Sequence, residues 1–151
     1  MIYLPERAVF IHIPRTGGNS IKNAIASTCI GKDIPTVVST MPIYIKEFDR
    51  CQSHQTASIL KGYIREWNDI YRFAVHRPIQ ERFESMDRFI KKIKARPNHR
   101  IPEQLKDFME IEDHLTYFKE EWSDHTTQFF THGLYGEDLG VEVYNYEDLP
   151  K

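Results

Sequence analysis

Cysteine is scarce in this sequence: two in 151 residues, Cys29 and Cys51. Their spacing matches neither a disulfide framework nor a structural zinc site, so both read as small buried or half-buried thiols. Net charge is also small, with 20 Lys and Arg against 22 Asp and Glu, a formal −2. That excludes the broad basic surface of a non-specific nucleic-acid binder. No apolar run approaches the length of a membrane span. The first residues lead almost directly into a strand pattern, with no basic, apolar, cleavable leader. These absences make a soluble protein in a reducing cytoplasm the expectation, with no nucleic-acid partner. Internal repeats, low-complexity tracts and a clear domain boundary are lacking too, so residues 1–151 read as a single domain. A hydrophobic content of 40% and an aromatic content of 13% suffice for its core.

What is present is organised around Ala8-Val-Phe-Ile-His-Ile-Pro-Arg-Thr-Gly-Gly-Asn-Ser-Ile21. Ala8 to Ile13 is a short apolar run rich in β-formers and reads as a buried strand. Pro14 ends it, and Gly17-Gly18 provides a bend that no side chain obstructs. Asn19 or Ser20 then caps a helix whose apolar positions Ile21, Ala24 and Ile25 recur at helical spacing. A strand, a glycine turn and a helix N-terminus aim backbone N–H groups and the positive end of a helix dipole at one spot. Arg15 adds a fixed charge whose fork suits phosphate or sulfate oxygens. The stretch reads as an anion cradle for the 5′ end of a nucleotide, or as an ordinary strand-turn-helix corner with a solvated arginine. It contains neither a Walker A loop nor Gly-x-Gly-x-x-Gly, so no P-loop NTPase or dinucleotide dehydrogenase is indicated by motif.

Further along, Thr36–Thr40 reads as a short strand and Met41–Phe48 as a helical turn. Ala57 to Trp67 reads as a helix with Leu60, Tyr63, Ile64 and Trp67 on its apolar stripe. Tyr71–Val75 is a strong strand candidate. A long helix follows from Ile79 to Lys94, with Phe83, Met86, Phe89, Ile90 and Ile93 on one face and Glu81, Glu84, Asp87, Lys91 and Lys92 largely opposite. Arg96–Pro102 is a basic, proline-punctuated loop. Weaker helical patterns lie near Glu103–Met109 and Leu115–Glu120, and Gly140–Asn145 is a last strand. Alternating strands and helices with crossover-length connections predict an α/β sheet with parallel pairing. In such sheets ligands sit beyond the C-terminal strand ends. Two strands end in cation-bearing turns, at Arg15 and at Arg77. As parallel neighbours they would present both cations to one ligand.

Arg77 opens Arg-Pro-Ile-Gln-Glu-Arg-Phe-Glu-Ser85. A phosphate held by its guanidinium and the Ser85 hydroxyl fits this pattern. So does an Arg77 paired with a neighbouring carboxylate and a Ser85 on the helix surface. His54, in the polar loop Cys51–Thr56, is a candidate general base near neutral pH. His12 lies in the first strand and fits a core position equally well. His125 and His132 are too isolated to define a metal site, and none is expected.

Taken together, these segments resemble the sulfotransferases that use 3′-phosphoadenosine 5′-phosphosulfate (PAPS), particularly the carbohydrate O-sulfotransferase branch. Phe10–Ile21 is similar to that family's 5′-phosphosulfate loop. Tyr71–Arg77 through Arg82-Phe-Glu-Ser85 is similar to its 3′-phosphate strand-turn-helix. His54–Lys61, Gln128 and Val141–Leu149 complete four segments in family order that span nearly the whole chain. The resemblance implies a P-loop-like three-layer fold with a central, mainly parallel sheet flanked by helices. It assigns Arg15, Thr16, Gly17, Gly18, Asn19 and Ser20 to the 5′-phosphosulfate, and Arg77 and Ser85 to the 3′-phosphate. It makes His54 the base and gives Arg15 a catalytic role. The reaction implied is in-line sulfuryl transfer to a glycan or small-alcohol hydroxyl, releasing 3′,5′-adenosine bisphosphate (PAP) without a required metal.

Three features depart from the family pattern. Arg15 stands where lysine is more frequent, and arginine does not readily give up a proton to a leaving oxygen. Pro78 follows Arg77 directly, where one residue usually intervenes. The terminal Tyr144-Asn-Tyr-Glu147 lacks an arginine often found there, and the domain reads as compact or short at its C-terminus. These departures motivate an alternative, a catalytically silent PAP- or nucleotide-binding module. A small kinase-like phosphotransferase is a third reading, opposed by the missing Walker lysine. The acceptor-lining segments, Pro35–Gln55 and Arg96–His132, carry no decodable pattern. Around Arg96, His99 and Arg100 either an acidic acceptor or a solvated loop is consistent with the charge.

Overall fold

The computed structural model describes residues 2–30, 32, 37–38, 55–95, 113–121, 123–124 and 126–149. Its packing divides into two compact units, Met1–Arg77 with Thr127–Lys151, and Pro78–Thr126. In the first unit the strands are β1 (Ile2–Leu4), β2 (Ala8–Ile11), β3 (Val37–Val38), β4 (Tyr71–His76) and β5 (Glu142–Asn145). The helices are α1 (Gly18–Ile30), α2 (Ala57–Tyr63) and α5 (Thr127–Thr131), with a 3-10 turn at Tyr146–Asp148. The second unit contains α3 (Ile79–Lys94) and α4 (His114–Glu121).

The sheet order is β3-β1-β2-β4-β5. β2, β4 and β5 run parallel, while β1 is antiparallel to both β2 and β3. The protein is therefore a mixed α/β fold with a mostly parallel sheet. β1 enters through a tight hairpin: the Arg7 N–H donates to the Leu4 carbonyl at 3.1 Å, with Glu6 in the left-handed region at φ 58°. Three residues with no flanking glycine give too little signal for a sequence reading of this strand.

Alternation along the strands builds two apolar layers. Val9, Ile11 and Ala74 pack with Ala57 and Leu60 of α2, with Ile64 and Trp67 beyond it, and with Phe130 of α5. Phe10, Val75 and Ile2 turn the other way, packing with Phe73 and with Ile21 and Ile25 of α1. Each large side chain so buried contributes about 1.5–3 kcal/mol.

Two expectations change here. α2 stops at Tyr63, four residues before the predicted end, because Ile64 turns extended at φ −92° and ψ 104°. Tyr63, placed on the apolar stripe, is instead exposed, while Trp67 reaches the core from a turn and donates its indole N–H to the Leu139 carbonyl at 3.3 Å. α2 begins where Thr56 caps it, the Thr56 hydroxyl oxygen accepting from the Ile59 N–H.

In the second unit α3 has the predicted bounds. Phe83 and Ile90 pack with Phe118 of α4, the two phenyl rings 5.9 Å apart. Glu81 lies in the first turn and Lys91, Lys92 and Lys94 in the last, complementing the helix dipole. Asp87, expected on the polar face, is buried and pairs with Lys91 at 2.8 Å. The Met41–Phe48 turn and the Glu103–Met109 helix lie outside the described residues. No helix among the described residues is long and apolar enough to cross a membrane.

Candidate functional site

The predicted strand-turn-helix lies at the C-terminal end of β2. The strand hydrogen bonding ends at Ile11, and residues 12–17 make the turn into α1. Thr16 is fully buried, and its hydroxyl donates to the Ile13 carbonyl at 2.9 Å. Its side chain therefore braces the turn from inside, which leaves its backbone as the part that can face a ligand. Arg15 adopts φ 66° and Gly17 φ 79°. The sequence places the whole bend on the glycines, yet a non-glycine residue shares it. A left-handed arginine costs on the order of 1–2 kcal/mol, which the surrounding turn must hold in place.

Helix α1 starts at Gly18, one or two residues earlier than the predicted caps, and its first backbone bond runs from the Ile21 N–H to the Gly17 carbonyl at 3.2 Å. Asn19 and Ser20 thus sit inside the first turn, exposed, rather than preceding it. The N–H groups of Gly18, Asn19 and Ser20 have no carbonyl one turn back, the arrangement that accepts an anion at a helix start.

Both glycines are required by packing. Gly18 is buried against His12: a Cβ added there would overlap the imidazole. His12 is itself buried, its ring stacked 5.8 Å from Phe10, so of the two positions open to it the core is the one it takes. At Gly17 the positive φ already favours glycine, and a Cβ would come 2.9 Å from Tyr146 Cε2.

Arg77 meets this turn. β2 and β4 are parallel neighbours, with Ile11 opposite Ala74. That register carries the residue after β4 to the turn after β2. The Arg77 Nη1–H donates to the Arg15 carbonyl at 3.3 Å. Its guanidinium carbon lies 4.6 Å from the centre of the Tyr146 ring. The preceding residue, His76, is joined through Nδ1 to the Thr127 hydroxyl at 2.7 Å, which ties α5 to the same strand end. Arg15, Thr16, Gly17, Gly18, Arg77 and Tyr146 therefore form one corner of the first unit. Tyr146 is the member sequence reasoning missed. It lies in the Val141–Leu149 segment, one residue after β5 ends, but nothing in that segment marks it out as a site residue.

Ser85 lies on α3 in the second unit and is 8% exposed, so it is not the surface residue of the bland alternative. Arg82, on the same helix, is 4% exposed, and burial pulls its pKa down to about 10. His54 lies outside the described residues, as do Cys51, Arg96, His99, Arg100 and His125. Cys29 is buried, as expected. Gln128 is exposed on α5. Among the described residues no three His, Cys, Asp or Glu side chains group to hold a metal.

The opposite end of β4 is pinned differently. The Tyr71 hydroxyl donates to Glu142 Oε2 at 2.6 Å and contacts the Tyr144 hydroxyl, which donates to Glu142 Oε1 at 2.8 Å. The Tyr71 and Tyr144 donors hold the Glu142 carboxyl below its usual range. Desolvation, then the Glu142 and Tyr144 contacts, push the Tyr71 phenol upward. This clamp fastens the edge strand β5 to β4. β5 in turn leads into Tyr146.

Comparison with protein-family models, curated proteins and solved structures finds no match to this chain.

Proposed function

We propose that this protein is a PAPS-dependent sulfotransferase on a P-loop-like α/β scaffold, acting on a carbohydrate or small-alcohol hydroxyl. The observation that carries the reading is the bond between the Arg77 guanidinium and the Arg15 carbonyl, which joins two cation-bearing strand ends in one corner. A nucleotide phosphorylated at both its 5′ and 3′ positions has anionic groups that two such strand ends suit. The Gly18–Ser20 N–H groups and Arg15 would take the 5′-phosphosulfate, and Arg77 the 3′-phosphate.

In the reaction the acceptor oxygen forms a bond to sulfur as the bond from sulfur to the 5′-phosphate oxygen breaks. The acceptor proton passes to a base, assigned to His54, and PAP leaves with the electron pair of the broken bond. Arg15 stabilises the charge that grows on the bridging oxygen without giving up its own proton. Backbone donors fixed by the Thr16 brace need no rearrangement as that charge develops, which is how positioning lowers the barrier.

The direct test is transfer of labelled sulfate from PAPS onto a panel of glycans and alcohols. His54→Ala should abolish turnover while leaving PAP affinity nearly intact. Arg77→Ala should cost about 1–3 kcal/mol in PAP affinity, as loss of a charge-assisted contact. PAP binding with no transfer to any acceptor would instead identify a silent nucleotide-binding module.

A further inference from the structure

Tyr146 enters the corner from the carboxyl-terminal strand, and its position is set by register. β5 pairs with β4 so that Asn145 lies opposite His76. The residue after each strand is then carried to the same place, Arg77 from one and Tyr146 from the other. The Tyr71–Glu142–Tyr144 clamp holds that register at the far end of the pair. The Tyr146 ring consequently meets two parts of the corner together: the Arg77 guanidinium at 4.6 Å and the Gly17 backbone, against which no Cβ would fit.

Arg77 is thus constrained in two directions. Nη1 is tied to the Arg15 carbonyl in the plane of the guanidinium, and the π-face of Tyr146 is attracted to its positive charge. A planar fork already held in orientation loses less freedom on meeting a phosphate than one that swings on a flexible stem. The Tyr146 hydroxyl has no part in either contact. Stacking needs the ring alone.

We infer that Tyr146 is a positioning residue for the bisphosphate site: its ring holds the Arg77 guanidinium beside the Gly17 turn and so sets the affinity for the phosphate that Arg77 engages. The inference rests on the reading of Arg77 as a phosphate contact. It adds a residue that the sequence patterns did not nominate, and it gives the edge strand β5 a task in binding.

The test is a calorimetric titration of the full chain with 3′,5′-adenosine bisphosphate, using wild type, Tyr146→Phe, Tyr146→Leu, Arg77→Ala and the double variant Arg77→Ala/Tyr146→Leu. Tyr146→Phe should bind within about twofold of wild type, and Tyr146→Leu about 5- to 20-fold more weakly. In the Arg77→Ala background Tyr146→Leu should change affinity by less than about twofold, because the group it positions is gone. Equal losses in both backgrounds would mark Tyr146 as a structural residue only and overturn the inference. So would a Tyr146→Leu variant as tight as wild type.

A second measurement needs no ligand. The Arg77 Nε–H resonance of the free protein should be shifted by the ring current in wild type and Tyr146→Phe, and should lose that shift in Tyr146→Leu. An Arg77 resonance unmoved by Tyr146→Leu overturns the stacking, whatever the titrations give. If wild type takes up no bisphosphate, the proposed function falls and the affinity part of the inference with it, while this resonance still decides the contact.

Discussion

The corner at the ends of β2, β4 and β5 and the α3–α4 pair are built on opposite terms. In the helix pair, local preference and packing agree: Phe83, Ile90 and Phe118 fill one apolar cluster, and charges at both ends of α3 suit its dipole. At the corner they conflict. An arginine is held left-handed, a glycine is buried under an imidazole, and two cationic residues approach each other through a carbonyl. The difference teaches where stability has been set aside for something else. Local rules fail there several times over within a few residues, where the backbone N–H groups of a helix start and the Arg77 guanidinium come together.

This contrast can be broken by substitution. The largest effect belongs to the helix pair: Ile90→Ala, at a fully buried site, should lower unfolding free energy by about 2–5 kcal/mol in chemical denaturation. At the corner, Gly18→Ala should cost about 1–3 kcal/mol, because the added methyl overlaps the His12 ring. Adding His12→Ala should recover most of that loss. If Gly18→Ala alone is neutral, the close packing of His12 under the helix start is wrong.

The β5 clamp gives a smaller effect with a definite sign. Glu142 is depressed in the folded state, so its contribution is present above the ordinary glutamate pKa near 4.5 and is lost as pH falls through the lower folded value. Tyr71 is raised, so its contribution is present below its ordinary value of 10.0 and fades as pH rises beyond it. Melting curves should show Glu142→Gln flattening the acid limb, and Tyr71→Phe the alkaline one. Limbs identical to wild type would mean that the clamp is not formed in solution.

The smallest effect is also the most telling. Arg15→Gly should raise stability by about 0.5–1 kcal/mol, by relieving the left-handed backbone, while weakening anion binding. A variant that loses stability would show that Arg15 is held by favourable contacts rather than against its preference.

Much of the frame was legible in the sequence. Pro78 and the apolar spacing from Phe83 to Ile93 define α3, and the β-rich runs at Ala8 and Tyr71 define the two central strands. The adjacency of Arg15 and Arg77 followed from expecting those strands to be parallel neighbours, which they are. What escaped depends on tertiary context. β1 is three residues long and is defined by its pairing with β2 and β3. α5 has five residues, three of them polar, and is held by His76 and the Ala57–Leu60 layer. The left-handed arginine could not be read, because sequence gives positive φ to glycine first and two glycines stood next to it. Tyr146 could not be read either, since its place depends on the register of an edge strand whose residues are all exposed.

The central claim is that the corner recognises a nucleotide by phosphates at two positions. Thermal shift of the full chain with 3′,5′-adenosine bisphosphate, ADP and AMP at equal concentration tests it most directly. The bisphosphate should raise the melting temperature clearly above the other two, and Arg77→Ala should remove that difference. Equal shifts for all three nucleotides, or none, would contradict the account.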